Sequence, residues 1–201
     1  MSGFRVVGLD VSLTSTGMSD GQSVHAVQTA PDSGSLEARM DRIVRTCLDF
    51  VHSPTLWTDR QPGKAADLVV IEGPAFRAHG TAVDQLAGLR MLVRVELYRR
   101  GIPFAIVSPT ALKAYTTNYG KATKAQMVAA LAERHGLDLT VHKVSKGKYD
   151  MADAYALAAM GYVWIGQPIA PTRGAPAPMK SLLAAQWPET VPTEPSAPVD
   201  F

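Results

Sequence analysis

The feature that most constrains the fold is a run of four apolar residues, 68–71, followed at once by Glu72. A strand that is apolar at every position is typical of a sheet covered on both faces. A second such run spans residues 104–107. Two strands of this kind need helices above and below the sheet, so the chain is expected to form an α/β domain.

The other patterns extend this prediction to a complete sheet. Residues 4–10, 14–20 and 23–29 are β-branched or alternate in polarity, which predicts three strands in an antiparallel meander. A capping serine followed by a proline, Ser108-Pro109, is a typical helix start. Apolar residues at helical spacing predict further helices over 35–52, 82–100, 123–135 and 150–165. We therefore predict a mixed five-stranded sheet flanked by helices.

Composition narrows the class of protein. A chain of 201 residues can bury one sizeable core, which we assign to residues 1–166. Residues 167–201 are rich in proline and alanine and are expected to be a flexible tail, with one short helical turn at 180–187. Neither a membrane span nor a secretion signal is recognisable, which favours a cytoplasmic protein. Cys47 is the only cysteine, so a disulfide framework is excluded within one chain.

Four carboxylates stand at the ends of predicted elements. Asp10 ends the first strand and Glu72 ends the fourth, while Asp150 and Asp153 share one face at the start of the last helix. Carboxylates brought together repel one another unless a hard cation neutralises them. Two Mg²⁺ ions about 4 Å apart would do so and would support phosphodiester cleavage. The four acids are therefore candidate metal ligands.

Each acid also has a purely structural interpretation. Asp150 is suited to cap the helix, and Asp153 to favour its first turn. Asp10 is a turn former before Ser12. Glu72 is harder to explain in this way, because a carboxylate that directly follows an apolar strand is costly to bury without a partner.

Basic residues are unevenly distributed in a chain whose net charge is only +2. Such clusters are typical of phosphate contacts, although solvated surface lysines are the plain alternative. The three clusters are Arg99-Arg100, then Lys113, Lys121 and Lys124, and then Lys143, Lys146 and Lys148.

Four segments, taken in order, resemble a known family. They are GLDVSLTSTG (8–17), VVIEGPAF (69–76), SPTALKAYTTNYGKATKAQM (108–127) and DMADAYALA (150–158). They are similar to the RuvC crossover-junction resolvases of bacteria and phages, over residues 4–165. The resemblance implies a ribonuclease H-like fold, a homodimer, two Mg²⁺ or Mn²⁺ ions, and symmetrical nicking of four-way DNA junctions to 5′-phosphate and 3′-hydroxyl ends.

The resemblance also implies roles for individual residues. Asp10 matches the acid that bridges both metals, and the other three acids complete the cage. Lys113 and Lys124 match lysines near the scissile phosphate, where they would stabilise the transition state or anchor the phosphate.

The remaining matches concern DNA contact. Phe76 matches an aromatic residue that stacks on an unpaired base at the junction centre, although Gly73-Pro74 lengthens the loop before it. Val11-Ser12 replaces the Pro-Gly usual after the first aspartate. The further residues assigned to DNA contact are Arg77, His79, Lys121, Lys143, Lys146 and Lys148.

Parts of the sequence also match proteins with functions other than junction cleavage. An actin-like or sugar-kinase-type ATPase shares the pattern of residues 8–17, but it needs two lobes, and no phosphate-binding glycine loop is present. A non-catalytic DNA-binding module would not need four acids. A flap or fork endonuclease of the same fold remains open.

The expected homodimer needs an interface. The helix over 82–100 carries an apolar stripe formed by Leu86, Leu89, Val93 and Leu97, extended by Met91 and Val95. We predict that this stripe forms the interface; the alternative is that it packs on the sheet.

Overall fold

A computed structural model describes residues 3–52, 65–74, 80–139, 147–169 and 179–189. Its sheet has five strands in the order β3-β2-β1-β4-β5. The first three strands are antiparallel, whereas β4 and β5 run parallel to β1. The mixed five-stranded sheet predicted from the sequence is thus confirmed. The strands are β1 (Val6–Asp10), β2 (Ser15–Ser19), β3 (Val24–Gln28), β4 (Leu68–Glu72) and β5 (Phe104–Val107).

Helices cover both faces of the sheet, as the apolar strands require. In β4, Leu68 and Val70 enter one core, while Val69 and Ile71 enter the other, and all four are fully buried. Alternate residues of a strand point to opposite faces, so this strand must be apolar throughout. The helices are α1 (Leu36–His52), α2 (Thr81–Arg99), α3 (Pro109–Thr117), α4 (Lys124–His135), α5 (Lys148–Trp164) and α6 (Met179–Leu183).

The helix α5 lies directly on β1 and β2 because two glycines let the backbones approach. A Cβ added to Gly8 would lie 2.0 Å from the carbonyl oxygen of Ala154, and one added to Gly17 would lie 1.9 Å from that of Asp150. Both distances are far inside van der Waals contact. The start of α5 is thereby held close to the strand that carries Asp10. Although α5 is apolar on all sides, no helix among the described residues is long and apolar enough to cross a membrane.

The apolar stripe of α2 serves the core of the protomer. Leu89, Val93 and Leu97 are fully buried in the layer that α2 shares with α1 against the sheet. Our prediction that this stripe forms a dimer interface is therefore wrong for Leu89, Val93 and Leu97, because helical spacing identifies an apolar face but not what covers it. Leu86 lines the cleft described below. Met91 and Val95, which extended the predicted stripe, are exposed beside Leu92 and Tyr98.

Part of the expected flexible tail packs on the domain. Leu182 is 3% exposed and belongs to the core below the sheet. Gln186 exchanges two backbone hydrogen bonds with Ile106 of the edge strand β5, at 2.8 and 2.9 Å. The Trp187 ring stacks on Trp164 with centroids 4.5 Å apart. The prediction of a tail is thus wrong for residues 179–189, where a few large apolar side chains supply the burial that a proline- and alanine-rich composition obscured.

Candidate active site

Asp10 and Glu72 are the last residues of two neighbouring parallel strands. Since β1 and β4 are in register at Leu9 and Ile71, the next residue of each strand emerges at the same edge of the sheet. Asp10 is only 6% exposed, and both carboxyl groups line the same cleft. Repulsion from Glu72 adds to the effect of burial in raising the pKa of Asp10, so the two carboxyl groups lie close together.

Asp150 and Asp153 reach the same edge from α5. The helix begins at Lys148, and its N-cap position is Gly147, which makes no side-chain cap. Asp150 is therefore not the N-cap residue, and Asp153 lies beyond the first turn, where the helix dipole no longer explains it. The capping role for Asp150 and the first-turn role for Asp153 are thus not supported, whereas Asp150 does lie in the first turn, where the helix dipole favours a carboxylate.

The four acids line one open cleft with a volume of about 300 Å³. Lys113 of α3 and Lys124 of α4 line its opposite side. The cleft thus gathers four acids and two lysines that lie far apart in the sequence.

Burial raises the pKa values of Asp10, Glu72 and Asp153. Burial raises the pKa of Asp10 well above its ordinary value, and repulsion from Glu72, Asp153 and Asp150 adds to it. Burial likewise raises the pKa of Asp153 to about 7, although Lys124 and Lys113 oppose the shift. The cluster holds more negative charge than its protein surroundings compensate.

Lys124 is the cation closest to the acids of α5. Its Nζ lies 3.6 Å from Oδ1 of Asp150 and 3.9 Å from Oδ2 of Asp153. Burial lowers the pKa of Lys124, but attraction to the carboxylates, first Asp153 and then Asp150, outweighs this and raises it. Its side chain is still 55% exposed, so the ammonium group remains accessible from the cleft.

A further cation in the cleft, Arg90 of α2, was missed in the sequence. Its Nη2 donates to Oε2 of Glu72 at 2.9 Å, and its Nη1 donates to the carbonyl oxygen of Gly73 at 3.0 Å. The only signal was a basic pair, Arg90 and Arg94, beside the buried stripe of α2. That pattern does not reveal a partner 18 residues away.

The donor set fits hard divalent cations, although the side chains do not form a finished coordination site. Within the described ranges, no three His, Cys, Asp or Glu side chains converge as around a bound ion. Uncompensated carboxylates repel one another, and Arg90 and Lys124 hold some of them. The donor set of four clustered carboxylates is nevertheless the kind that Mg²⁺ or Mn²⁺ would neutralise.

The residues predicted to contact DNA are only partly described. Phe76, Arg77, His79, Lys143 and Lys146 lie outside the described residues. Lys121 is exposed just before α4, and Lys148 is the first residue of α5, so both flank the cleft without lining it. Their role in DNA contact stays a prediction.

Comparisons with known proteins agree on one group of enzymes. The chain is 34% identical over 168 residues to crossover junction endodeoxyribonuclease RuvC of Nocardioides sp., covering 81% of this chain and 88% of that protein. It is 31% identical over 172 residues to the Salinispora arenicola enzyme of the same name, covering 81% and 89%. No family model matches the chain.

The fold also matches a solved structure. Thermus thermophilus RuvC in complex with a Holliday junction substrate superposes with a TM-score of 0.60 at 19% identity. The match covers 83% of this chain and 99% of that chain. The ribonuclease H-like fold expected from the sequence is thus confirmed.

Proposed function

Because this chain belongs to the RuvC family of crossover junction endodeoxyribonucleases, we propose that its acidic cleft cuts four-way DNA junctions by metal-dependent hydrolysis. The observation that carries the proposal is the meeting of Asp10, Glu72, Asp150 and Asp153 with two lysines in one open cleft. A non-catalytic DNA-binding module would have no use for buried carboxylates that destabilise one another.

Asp10, Glu72, Asp150 and Asp153 are the residues that would hold the metal ions in this cleft. We propose Mg²⁺ or Mn²⁺, two per site. Such ions, when bound, activate a water molecule and stabilise the leaving oxygen of the phosphodiester. Attack at phosphorus breaks the bond to the 3′ oxygen and leaves 5′-phosphate and 3′-hydroxyl ends.

The lysines act on the phosphate rather than on the metal. Lys124, accessible and close to Asp150 and Asp153, is suited to stabilise the additional negative charge of the transition state. Lys113 approaches from α3 and is suited to anchor the phosphate. In both cases the charge acts inside a partly buried cleft, where it is screened less than on an open surface.

Two symmetrical nicks require two active sites related by a two-fold axis, so we propose a homodimer. Its interface is the exposed apolar face of α2, where Met91, Leu92, Val95 and Tyr98 are 50%, 46%, 36% and 79% exposed. These residues repeat at helical spacing on one side of the helix. The cytoplasmic location expected from the sequence stays a prediction.

The test is cleavage of a panel of labelled DNAs: four-way junction, three-way junction, flap, fork and linear duplex. We expect paired nicks at symmetrical positions of the four-way junction in Mg²⁺, and none with Asp10→Asn as the matched control. Faster cleavage of the flap or fork would favour the alternative nuclease of the same fold. Binding of ATP with no DNA cleavage would instead favour the kinase-type lobe.

A further inference from the structure

Arg90 of α2 contacts the C-terminal end of β4, where the proposed metal ligand Glu72 lies. Its two terminal nitrogens bind different parts of the same turn: Nη2 contacts the Glu72 carboxylate, and Nη1 contacts the carbonyl oxygen of Gly73. The side chains of Arg90 and Glu72 are only 13% and 16% exposed. An ion pair that is shielded in this way is held more firmly than a surface pair.

The backbone of α2 at Arg90 is held rigidly by core packing. The residues that flank it on the buried side of α2, Leu89 and Val93, are fully buried in the core. Glu72, by contrast, is a long side chain at the end of a strand, with several rotatable bonds. Because Arg90 is anchored on α2, its two contacts restrict the rotation of the Glu72 side chain and hold its carboxylate in place.

One oxygen of the Glu72 carboxylate remains available to bind a metal ion. Arg90 binds Oε2, so Oε1 is not engaged by the guanidinium. The Glu72 carboxyl group lines the same cleft as Asp10, Asp150 and Asp153. A phosphate contact is the other common task of a cleft arginine, but only 13% of the Arg90 side chain is exposed, which leaves little of it open to DNA.

We propose that Arg90 is a positioning residue that orients the Glu72 carboxylate for metal binding. The inference rests on the proposed function, because it assumes that Glu72 is a metal ligand. Residues that orient metal ligands typically contribute about 10- to 100-fold to metal affinity. Lysine cannot replace Arg90 fully, because a single ammonium group does not reproduce the planar fork that holds two oxygens.

The experiment compares Arg90→Met and Arg90→Lys with Arg94→Met as the matched control. Arg94 lies one turn further along α2, over the Phe104 ring and outside the cleft. Mn²⁺ binding to the DNA-free protein is titrated by electron paramagnetic resonance. Single-turnover cleavage is measured against Mn²⁺ concentration, and junction affinity is measured in Ca²⁺.

We expect Arg90→Met to weaken Mn²⁺ binding by about 10- to 100-fold. Saturating Mn²⁺ should restore most of the cleavage rate of Arg90→Met, and its junction affinity should change less than about twofold. The Mn²⁺ affinity of Arg90→Lys should lie between those of Arg90→Met and wild type. Unchanged Mn²⁺ affinity in Arg90→Met would overturn the proposal. So would a loss of junction affinity, which would identify Arg90 as a phosphate contact.

A double-variant cycle separates positioning from a general effect on folding. In a Glu72→Gln background, Arg90→Met should have no further effect on Mn²⁺ affinity, whereas damage to the fold would weaken it again. If Arg90→Met does not fold, Arg90→Lys carries the same cycle. Failure of the proposed function would show differently, as wild-type protein that neither binds Mn²⁺ nor needs a metal to cut DNA.

Discussion

The Nζ atom of Lys124 lies 3.6 Å from Oδ1 of Asp150, although Lys124 is the first residue of α4. A positive charge in the first turn of a helix is unfavourable, because the helix dipole is positive at that end. The helix has a full capping box at Thr123 and does not need this lysine to begin. The position of Lys124 is therefore explained by the acids opposite it rather than by the stability of α4.

Lys124→Ala should slow single-turnover cleavage by about one to three orders of magnitude, as expected for a lost electrostatic donor. Junction affinity should change little. Lys121→Ala is the control, since Lys121 is exposed outside the cleft. It should weaken binding and lower the salt slope by about one unit, with the rate on saturated enzyme intact. Identical behaviour of the two variants would show that Lys124 is an ordinary phosphate contact.

Asp10→Asn, Glu72→Gln and Asp153→Asn should each abolish cleavage while junction binding persists. The reason is that the acids serve the chemistry, whereas most affinity comes from basic residues that contact phosphates. Gel-shift titration in Ca²⁺ and cleavage in Mg²⁺ measure the two properties separately. A variant that keeps near-normal cleavage would remove its residue from the site.

Mg²⁺ or Mn²⁺ should support cleavage, and Ca²⁺ should support binding alone. The larger and looser coordination shell of Ca²⁺ misplaces the groups that react. The measurement is cleavage of a labelled junction by chelator-treated protein after each metal is added back. Full activity in excess chelator, or a specific requirement for zinc, would contradict an all-carboxylate metal site.

Asp153 should make the metal-free protein less stable as the pH rises. Its pKa is about 7 in the fold, against an ordinary value of 3.8. Between these values the unfolded chain ionises first, so the cost of folding grows with pH and is complete above about pH 7. Asp153→Asn should therefore stabilise the protein on the order of 4 kcal/mol at pH 8 and by little at pH 4.

Urea unfolding at pH 5 and pH 8 in a chelator measures this effect, with Asp32→Asn in an exposed loop as the control. Addition of Mg²⁺ should stabilise wild type more at pH 8, where the carboxylates are ionised, than at pH 5. Equal stabilities of wild type and Asp153→Asn at pH 8 would contradict the buried position of this carboxylate.

Introducing charge into the exposed face of α2 should separate the protomers. The double variant Met91→Glu with Val95→Glu should sediment as a monomer at concentrations where wild type is a dimer, because two charges would be buried in the interface. Tyr119→Ser, at an exposed aromatic residue away from α2, should remain dimeric. Wild type that is monomeric at micromolar concentration would argue against the dimer and for a single-nick activity.

The convergence of the four acids could be predicted because local rules place each of them, whereas their role as metal ligands stays a prediction. Asp10 and Glu72 end strands, and Asp150 and Asp153 share a helix face, so each position follows from a short pattern. Arg90 could not be predicted in the same way. Its partner Glu72 is 18 residues away and is reached only because α2 packs beside the end of β4.

The dependence on contacts distant in the sequence also explains the two incorrect predictions, which concern the stripe of α2 and the C-terminal tail. The stripe of α2 has the spacing of any amphipathic helix, and only the tertiary structure shows that Leu89, Val93 and Leu97 face the sheet. The proline- and alanine-rich composition of residues 167–201 conceals two large apolar residues, Leu182 and Trp187, which pack on the domain. Local patterns identify elements and their faces, whereas the partner of each face depends on contacts distant in the sequence.

The close approach of α5 to β2 makes Gly17, a residue without a side chain, a determinant of where the acids of α5 lie. Replacing Gly17 by alanine would force the backbone of Asp150 outward, since the new methyl carbon would lie 1.9 Å from its carbonyl oxygen. Both acids of α5 would move with it, away from Asp10. A screen for inactive variants should therefore find position 17 as intolerant as the ligands themselves, although a glycine can neither bind a metal nor touch DNA through a side chain.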